Sequence, residues 1–259
     1  MVKPRVCILR TDGTNCDEEL FYAFEKFGGA PDYVHVNQFR DKSIKLKDFK
    51  ILALPGGFAY GDDVASGKIL AVELISFLKD QLTDFVSRKG LILGICNGFQ
   101  VLVRTGLLPF GNIGKMDVTL AQNDSGHFEC RWINLKVQKS KCVFLNKFDG
   151  QTGQYAVNHG EGKFYSDPAT IKRVEDSELV VFRYVNESGK PTQSYPENPN
   201  GSLEAIAGVC DPTGRILGIM PHPEKFVDYT QHPNWRREKF TKPHGAFIFE
   251  SIIKFAKSA

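Results

Sequence analysis

Apolar residues along this chain fall into two alternating patterns. "RVCILR" is a short continuous apolar run of the kind a buried strand needs. After the polar turn "TDGTN", residues 16–27 carry Leu20, Ala23, Phe24 and Phe27 at helical spacing and stop at Gly28-Gly29. "DYVHVNQF" alternates and predicts a strand, and "KILALP" predicts a short buried one. Residues 66–88 read as mostly helical, ending at Lys89-Gly90. "LILGIC" is another buried strand, followed by a helix to about Thr105. This rhythm predicts an α/β fold with a mostly parallel sheet flanked by helices.

The second half changes character. "FECRWINLKV", "QYAVNHGEGKFY", "LVVFRYV" and "AIAGVCDPTGRILGIMPHPE" read as strands, the last with a turn at Asp211-Pro212-Thr213-Gly214. They predict added antiparallel strands. A final helix is expected over 245–256, with Phe247, Ile248, Ile252 and Phe255 inward. The polar loop 186–202, with three prolines, is too long for a plain connector and is expected to be functional or mobile. With 259 residues, 42% of them apolar, one domain over 1–259 is the expectation.

Charge and cysteine content narrow the class. The net charge of +3 is spread over both signs, which describes a solvated surface and not a nucleic-acid footprint. No apolar run reaches the length of a membrane span, and the N-terminal residues do not form a signal peptide. Six scattered cysteines without a C-x-x-C pair argue against a zinc site and for reduced thiols in the cytoplasm. "GDDVASGKI" is a near miss for a phosphate-binding loop. Gly61 is one residue too far from Gly67-Lys68, and Ile69 replaces the hydroxyl residue.

The candidate chemistry centres on "LILGICNGFQ". A thiol between Gly94 and Gly98, at the end of a strand and the start of a helix, has the pattern of a nucleophile elbow. A helix N-terminus and a nearby histidine are both expected to lower the Cys96 pKa and supply a thiolate. A base is also required. His222, opening "HPE" with Glu224 two residues on, is one candidate, and His159 in "NHGEG" is the other. The N–H groups of Asn97 and of Gly57 in "LPGGF" are candidate oxyanion donors. Each motif alone also fits packing or an ordinary turn.

Taken together, "PGGF", "GICNGFQ" and "HPE", in this order, resemble the class I (triad) glutamine amidotransferases. The phrases "RTDGTNCDEE", "PGGFAYGDD", "FECRW", "NHGEGKF", "NPNGS" and "GIMPHPEK" narrow the resemblance to one branch. In that branch the glutaminase feeds ammonia to a synthetase that converts formylglycinamide ribonucleotide to formylglycinamidine ribonucleotide in purine biosynthesis. The resemblance implies a flavodoxin-like fold. It also implies Cys96 as nucleophile, His222 as base, Glu224 as the acid that orients it, and Gly57 and Asn97 as oxyanion donors. Gln100, Asn158, His159 and Gly160 are implied to bind substrate, L-glutamine. No metal or cofactor is implied on this chain, because ATP and magnesium belong to the large synthetase subunit, usually accompanied by a small accessory subunit. Ala59 stands where many relatives have serine, and the segment 225–245 is longer than in compact relatives and is expected to face a partner. A free-standing thiol hydrolase such as a γ-glutamyl hydrolase, or a non-catalytic redox or scaffold protein, are the other readings.

Overall fold

The computed structural model describes residues 2–258. The first half runs β1 (Arg5–Arg10), α1 (Asp17–Lys26), β2 (Ala30–His35), α2 (Val36–Arg40), β3 (Ile51–Leu54), α3 (Lys68–Phe77) and α4 (Lys79–Ser87). It continues through β4 (Leu91–Ile95) and α5 (Asn97–Arg104). The second half comprises β5 (Thr119–Gln122), β6 (Glu129–Val137), β7 (Thr152–His159), β8 (Glu161–Tyr165) and α6 (Pro168–Asp176). It closes with β9 (Val180–Val185), β10 (Ile206–Cys210), β11 (Ile216–Ile219) and α7 (Ala246–Ser258).

Nine strands form one sheet in the order β2-β1-β3-β4-β11-β10-β9-β6-β7. From β2 to β11 every pairing is parallel. From β11 to β7 every pairing is antiparallel. β5 and β8 form a separate antiparallel pair. Every residue of β3, β4 and β11 is buried, which explains their unbroken apolar sequences: in a parallel sheet both faces are covered.

Three expectations change. "DYVHVNQF" does not stay extended, because α2 begins at Val36. Local hydrogen bonds outweigh the alternating pattern: His35 Nδ1 accepts the Asn37 N–H at 3.2 Å, and Gln38 Oε1 accepts the His35 N–H at 2.8 Å. Loop 186–202 is tied down by its asparagines. Asn198 Nδ2 donates to Ser202 O at 3.0 Å, and Asn200 Nδ2 donates to Gly162 O at 2.9 Å. Segment 225–245 turns partly inward, where His232 meets Trp132 and Phe240 edge-to-face, with ring centroids 4.4 Å and 4.5 Å apart. Trp235 in the same segment is exposed. Among the described residues no helix is long and apolar enough to cross a membrane.

Candidate active site

The strands β3, β4 and β11 lie side by side and in register, with Leu54 opposite Gly94 and Ile95 opposite Ile219. Their carboxyl ends therefore open at one level, where ligands bind in such sheets. Pro55-Gly56-Gly57 leaves β3 there, Cys96 leaves β4, and His222 follows β11.

Cys96 has φ 52° and ψ −107°, a conformation that L side chains rarely adopt. Its N–H donates to Ile219 O at 2.9 Å, and its carbonyl accepts the N–H of Phe99 at 2.9 Å and of Gln100 at 3.0 Å. Strand and helix are thus pinned on either side of one strained residue. The flanking glycines are required by closeness: a Cβ on Gly98 would stand 2.1 Å from Leu54 O, and one on Gly94 would stand 2.7 Å from Gly98 O. The Asn97 N–H is directed at the Cys96 sulfur, which itself donates to Asn158 O at 3.5 Å.

The expected lowering of the thiol pKa is not what the site provides. Burial, together with the nearby Cys16 and Glu224, pushes the Cys96 thiol well above its ordinary range. The Asn97 N–H and Lys225 act in the opposite direction without prevailing. Cys96 is therefore a neutral thiol until a base takes its proton.

His222 and Glu224 are both buried, and His222 Nδ1 lies 2.5 Å from Glu224 Oε1. The His222 N–H donates to Ala156 O at 2.9 Å, so β7 fixes the turn that carries the imidazole. His222 Nε2 and Glu224 Oε2 are buried without a hydrogen-bond partner. Gly56 marks where the pieces meet: a Cβ there would lie 2.6 Å from His222 Cε1 and 3.4 Å from both Cys96 Cβ and Cys16 Sγ.

The rival histidine is built differently. His159 Nδ1 pairs with Asn123 Oδ1 at 3.1 Å, and burial, reinforced by His222, lowers its pKa to about 3. It is a neutral wall residue at physiological pH. Gln100 has both amide ends engaged, accepting from Asn97 Nδ2 at 3.0 Å and donating to Glu161 O at 2.5 Å. Gln100 therefore braces the pocket wall. Asn158 Oδ1 accepts from Lys225 Nζ at 3.1 Å. Gly160 and Glu161 line a cleft of about 360 Å³ with Phe58, Asp62, Ser66 and Phe128. Gly57, at φ 136°, begins the turn that leads into that cleft.

Three residues that the sequence does not single out join this constellation. Asp62 Oδ1 accepts from Asn97 Nδ2 at 2.9 Å, Lys225 bonds to Asn158, and Cys16 approaches His222 and Glu224. Asp62 and Lys225 sit inside quoted motifs, "GDD" and "HPEK", so a signal was present. Cys16 opens α1 and reads from sequence as part of an apolar face.

The sheet, the elbow and the histidine–carboxylate pair are those of a class I glutamine amidotransferase. Residues 3–256 match the family described as the CobB/CobQ-like glutamine amidotransferase domain. The phosphoribosylformylglycinamidine synthase subunit PurQ of Dehalococcoides mccartyi is 44% identical over 259 residues, covering 99% of each chain. That of Methanococcus maripaludis is 40% identical over 255 residues, covering 97% of this chain and 93% of the relative. Among solved structures, a chain of PurLQS from Thermotoga maritima superposes with a TM-score of 0.74 at 32% identity, over 98% of this chain and 99% of that one. The chain belongs to the CobB/CobQ-like glutamine amidotransferases and, within them, to the PurQ subunits of phosphoribosylformylglycinamidine synthase.

Proposed function

We propose that this chain, acting as one amidotransferase domain, hydrolyses L-glutamine to glutamate and ammonia and delivers the ammonia to a synthetase. The observation that supports this most is the buried His222–Glu224 pair meeting Cys96 at Gly56. In the reaction, the Cys96 sulfur attacks the side-chain amide carbon while His222 Nε2 takes the thiol proton. Glu224 holds Nδ1 and stabilises the imidazolium. The N–H groups of Gly57 and Asn97 receive the developing oxyanion. The imidazolium then protonates the leaving nitrogen, which departs as ammonia and leaves a glutamyl thioester on Cys96. Water attacks the thioester with His222 again as base, and glutamate leaves as the thiol is restored. Asn158, His159 and Gly160 line the substrate side, and Gln100 acts through the Glu161 carbonyl.

The acceptor chemistry belongs to a partner: a large ATP- and magnesium-dependent subunit that amidates formylglycinamide ribonucleotide, with a small accessory subunit, in the cytoplasm. The relatives' names, subunits of phosphoribosylformylglycinamidine synthase, support the synthase partner. The test is Cys96→Ala in the assembled complex. Glutamine-dependent synthesis is expected to disappear while added ammonium salts still support it. More than a trace of glutaminase turnover in the variant would reject Cys96 as nucleophile.

A further inference from the structure

Cys16 has no part in the chemistry above, yet its sulfur lies in the middle of it. One donor atom from each of Cys16, His222 and Glu224 lies within 4.8 Å of the others, and all three residues are buried. His222 Nδ1 and Glu224 Oε1 already face each other at 2.5 Å, and Glu224 Oε2 is buried without a partner. The Cys16 thiol donates to Asn15 Oδ1 at 3.3 Å and lies near the Lys225 ammonium. Sulfur, imidazole nitrogen and carboxylate oxygen form a ligand set for a borderline-soft divalent ion. Around tetrahedral zinc, with ligand bonds of about 2.0–2.3 Å, such atoms stand roughly 3.5 Å apart. From separations of 4.8 Å or less the widest pair closes by roughly 1.3 Å, while the Nδ1–Oε1 pair, at 2.5 Å, opens by about 1 Å.

We propose that Cys16, His222 and Glu224 form an inhibitory site for a thiophilic divalent cation, zinc above all. Coordination displaces the Cys16 thiol proton to solvent, so that thiolate and carboxylate together balance the charge of the ion. The ion binds His222 Nδ1 in place of the hydrogen bond to Glu224, the ring proton moves to Nε2, and the imidazole can no longer take the Cys96 proton. Water takes the fourth position. Lys225, whose ammonium bonds to Asn158 Oδ1 at 3.1 Å and acts to lower the Cys16 pKa, is a nearby cation, and its flexible stem lets it withdraw. Binding does not depend on the reaction assigned above; inhibition rests on that reading.

Cobalt(II) is the probe for binding, because a thiolate bound to it gives a charge-transfer band in the near ultraviolet. The full chain titrated with Co²⁺ is expected to show this band, and Zn²⁺ to abolish it. Cys16→Ser is expected to lose the band and keep glutamine turnover in the assembled complex. Its inhibition by Zn²⁺ is expected to weaken at least about tenfold, the scale on which a lost ligand contact acts. Cys130→Ser, which removes the exposed thiol, is expected to change neither. Cys16→Ala, measured alongside with thermal melts, covers the case in which serine disturbs the fold. A band that persists in both Cys16 variants, a band lost in Cys130→Ser, or no band at all would overturn the site. Equal zinc sensitivity in wild type and Cys16→Ser would overturn its inhibitory role. A band that vanishes with Cys16, in a complex that never hydrolyses glutamine, would sink the glutaminase reading and leave the metal site standing.

Discussion

Two buried histidines of the same sequence class are sorted by what their nitrogens touch. Both keep Nε2 without a partner, but His222 has a carboxylate on Nδ1, whereas His159 has only the neutral Asn123 amide there. Proton transfer is therefore expected to fall to His222, and His222→Ala to lower kcat on the order of 100- to 10,000-fold. Glu224→Gln is expected to lose less, and His159→Gln to act mainly on KM. Steady-state glutaminase kinetics of the complex decide this, and a larger kcat loss at His159 than at His222 would reverse the roles. His159 has a second consequence, because its pKa falls from 6.5 to about 3 on folding. The unfolded chain then binds a proton below pH 6.5 that the folded chain refuses, so stability is lost as pH falls from there toward 3. Between pH 7 and pH 5 this one group is expected to cost about 2 kcal/mol. Urea unfolding at both pH values is expected to show that loss in wild type and a correspondingly smaller one in His159→Gln. An identical pH dependence in the two proteins would count against a neutral buried His159.

At the scale of elements, the elbow depends on one close approach. A methyl on Gly98 would meet the Leu54 carbonyl at 2.1 Å, and backbone on both sides leaves it nowhere to go. Gly98→Ala is expected to destabilise the fold by roughly 1–3 kcal/mol or more and to remove glutaminase activity. Gly160→Ala is the contrast, since its nearest neighbour would be Phe128 Cδ2 at 3.9 Å. Its stability is expected to change by no more than about 0.5 kcal/mol. Denaturant midpoints of the two variants test the pair, and equal losses would show that the elbow is looser than its distances. These elements also show what is legible in sequence. β3, β4 and β11 were readable as unbroken apolar runs because burial on both faces imposes that pattern. α2 was not, because a capping exchange at His35 decides it locally. The short strand β5 was missed because only one of its four residues is buried, which leaves little apolar pattern to read. α6 was missed too, although Asp167 accepts the N–H groups of Ala169 and Thr170 at 3.0 Å and Pro168 opens the helix. The triad candidates were legible through local motifs, but Cys16 joins them only by three-dimensional convergence, which no spacing rule encodes.

At the scale of the whole molecule, the rim of the cleft carries exposed aromatics on a strained turn. Phe58 and Phe128 are 42% and 52% exposed, with ring centroids 6.2 Å apart, and Val64 nearby is 79% exposed. Between them the chain holds Tyr60, Asp62 and Val64 at φ 55°, 55° and 73°, left-handed values that cost side-chain-bearing residues free energy. This strained turn leads directly out of Gly57. Its Asp62 also grips the Asn97 side chain at 2.9 Å. Pressure on the exposed aromatics is therefore expected to reach both proposed oxyanion donors, Gly57 through the chain and Asn97 through Asp62. A misdirected donor costs on the order of 100- to 1000-fold in rate. Because ammonia released without an acceptor is wasted, the isolated chain is expected to be a poor glutaminase. Docking is expected to raise its kcat by about that factor. Phe58→Asp is expected to prevent the rise without unfolding the chain, and Asp62→Ala to blunt it even when the complex forms. Glutamate release is measured for the chain alone, then with the synthetase subunits and their nucleotide ligands. Equal turnover in the two conditions would reject the coupling and favour a free-standing thiol hydrolase on the same fold.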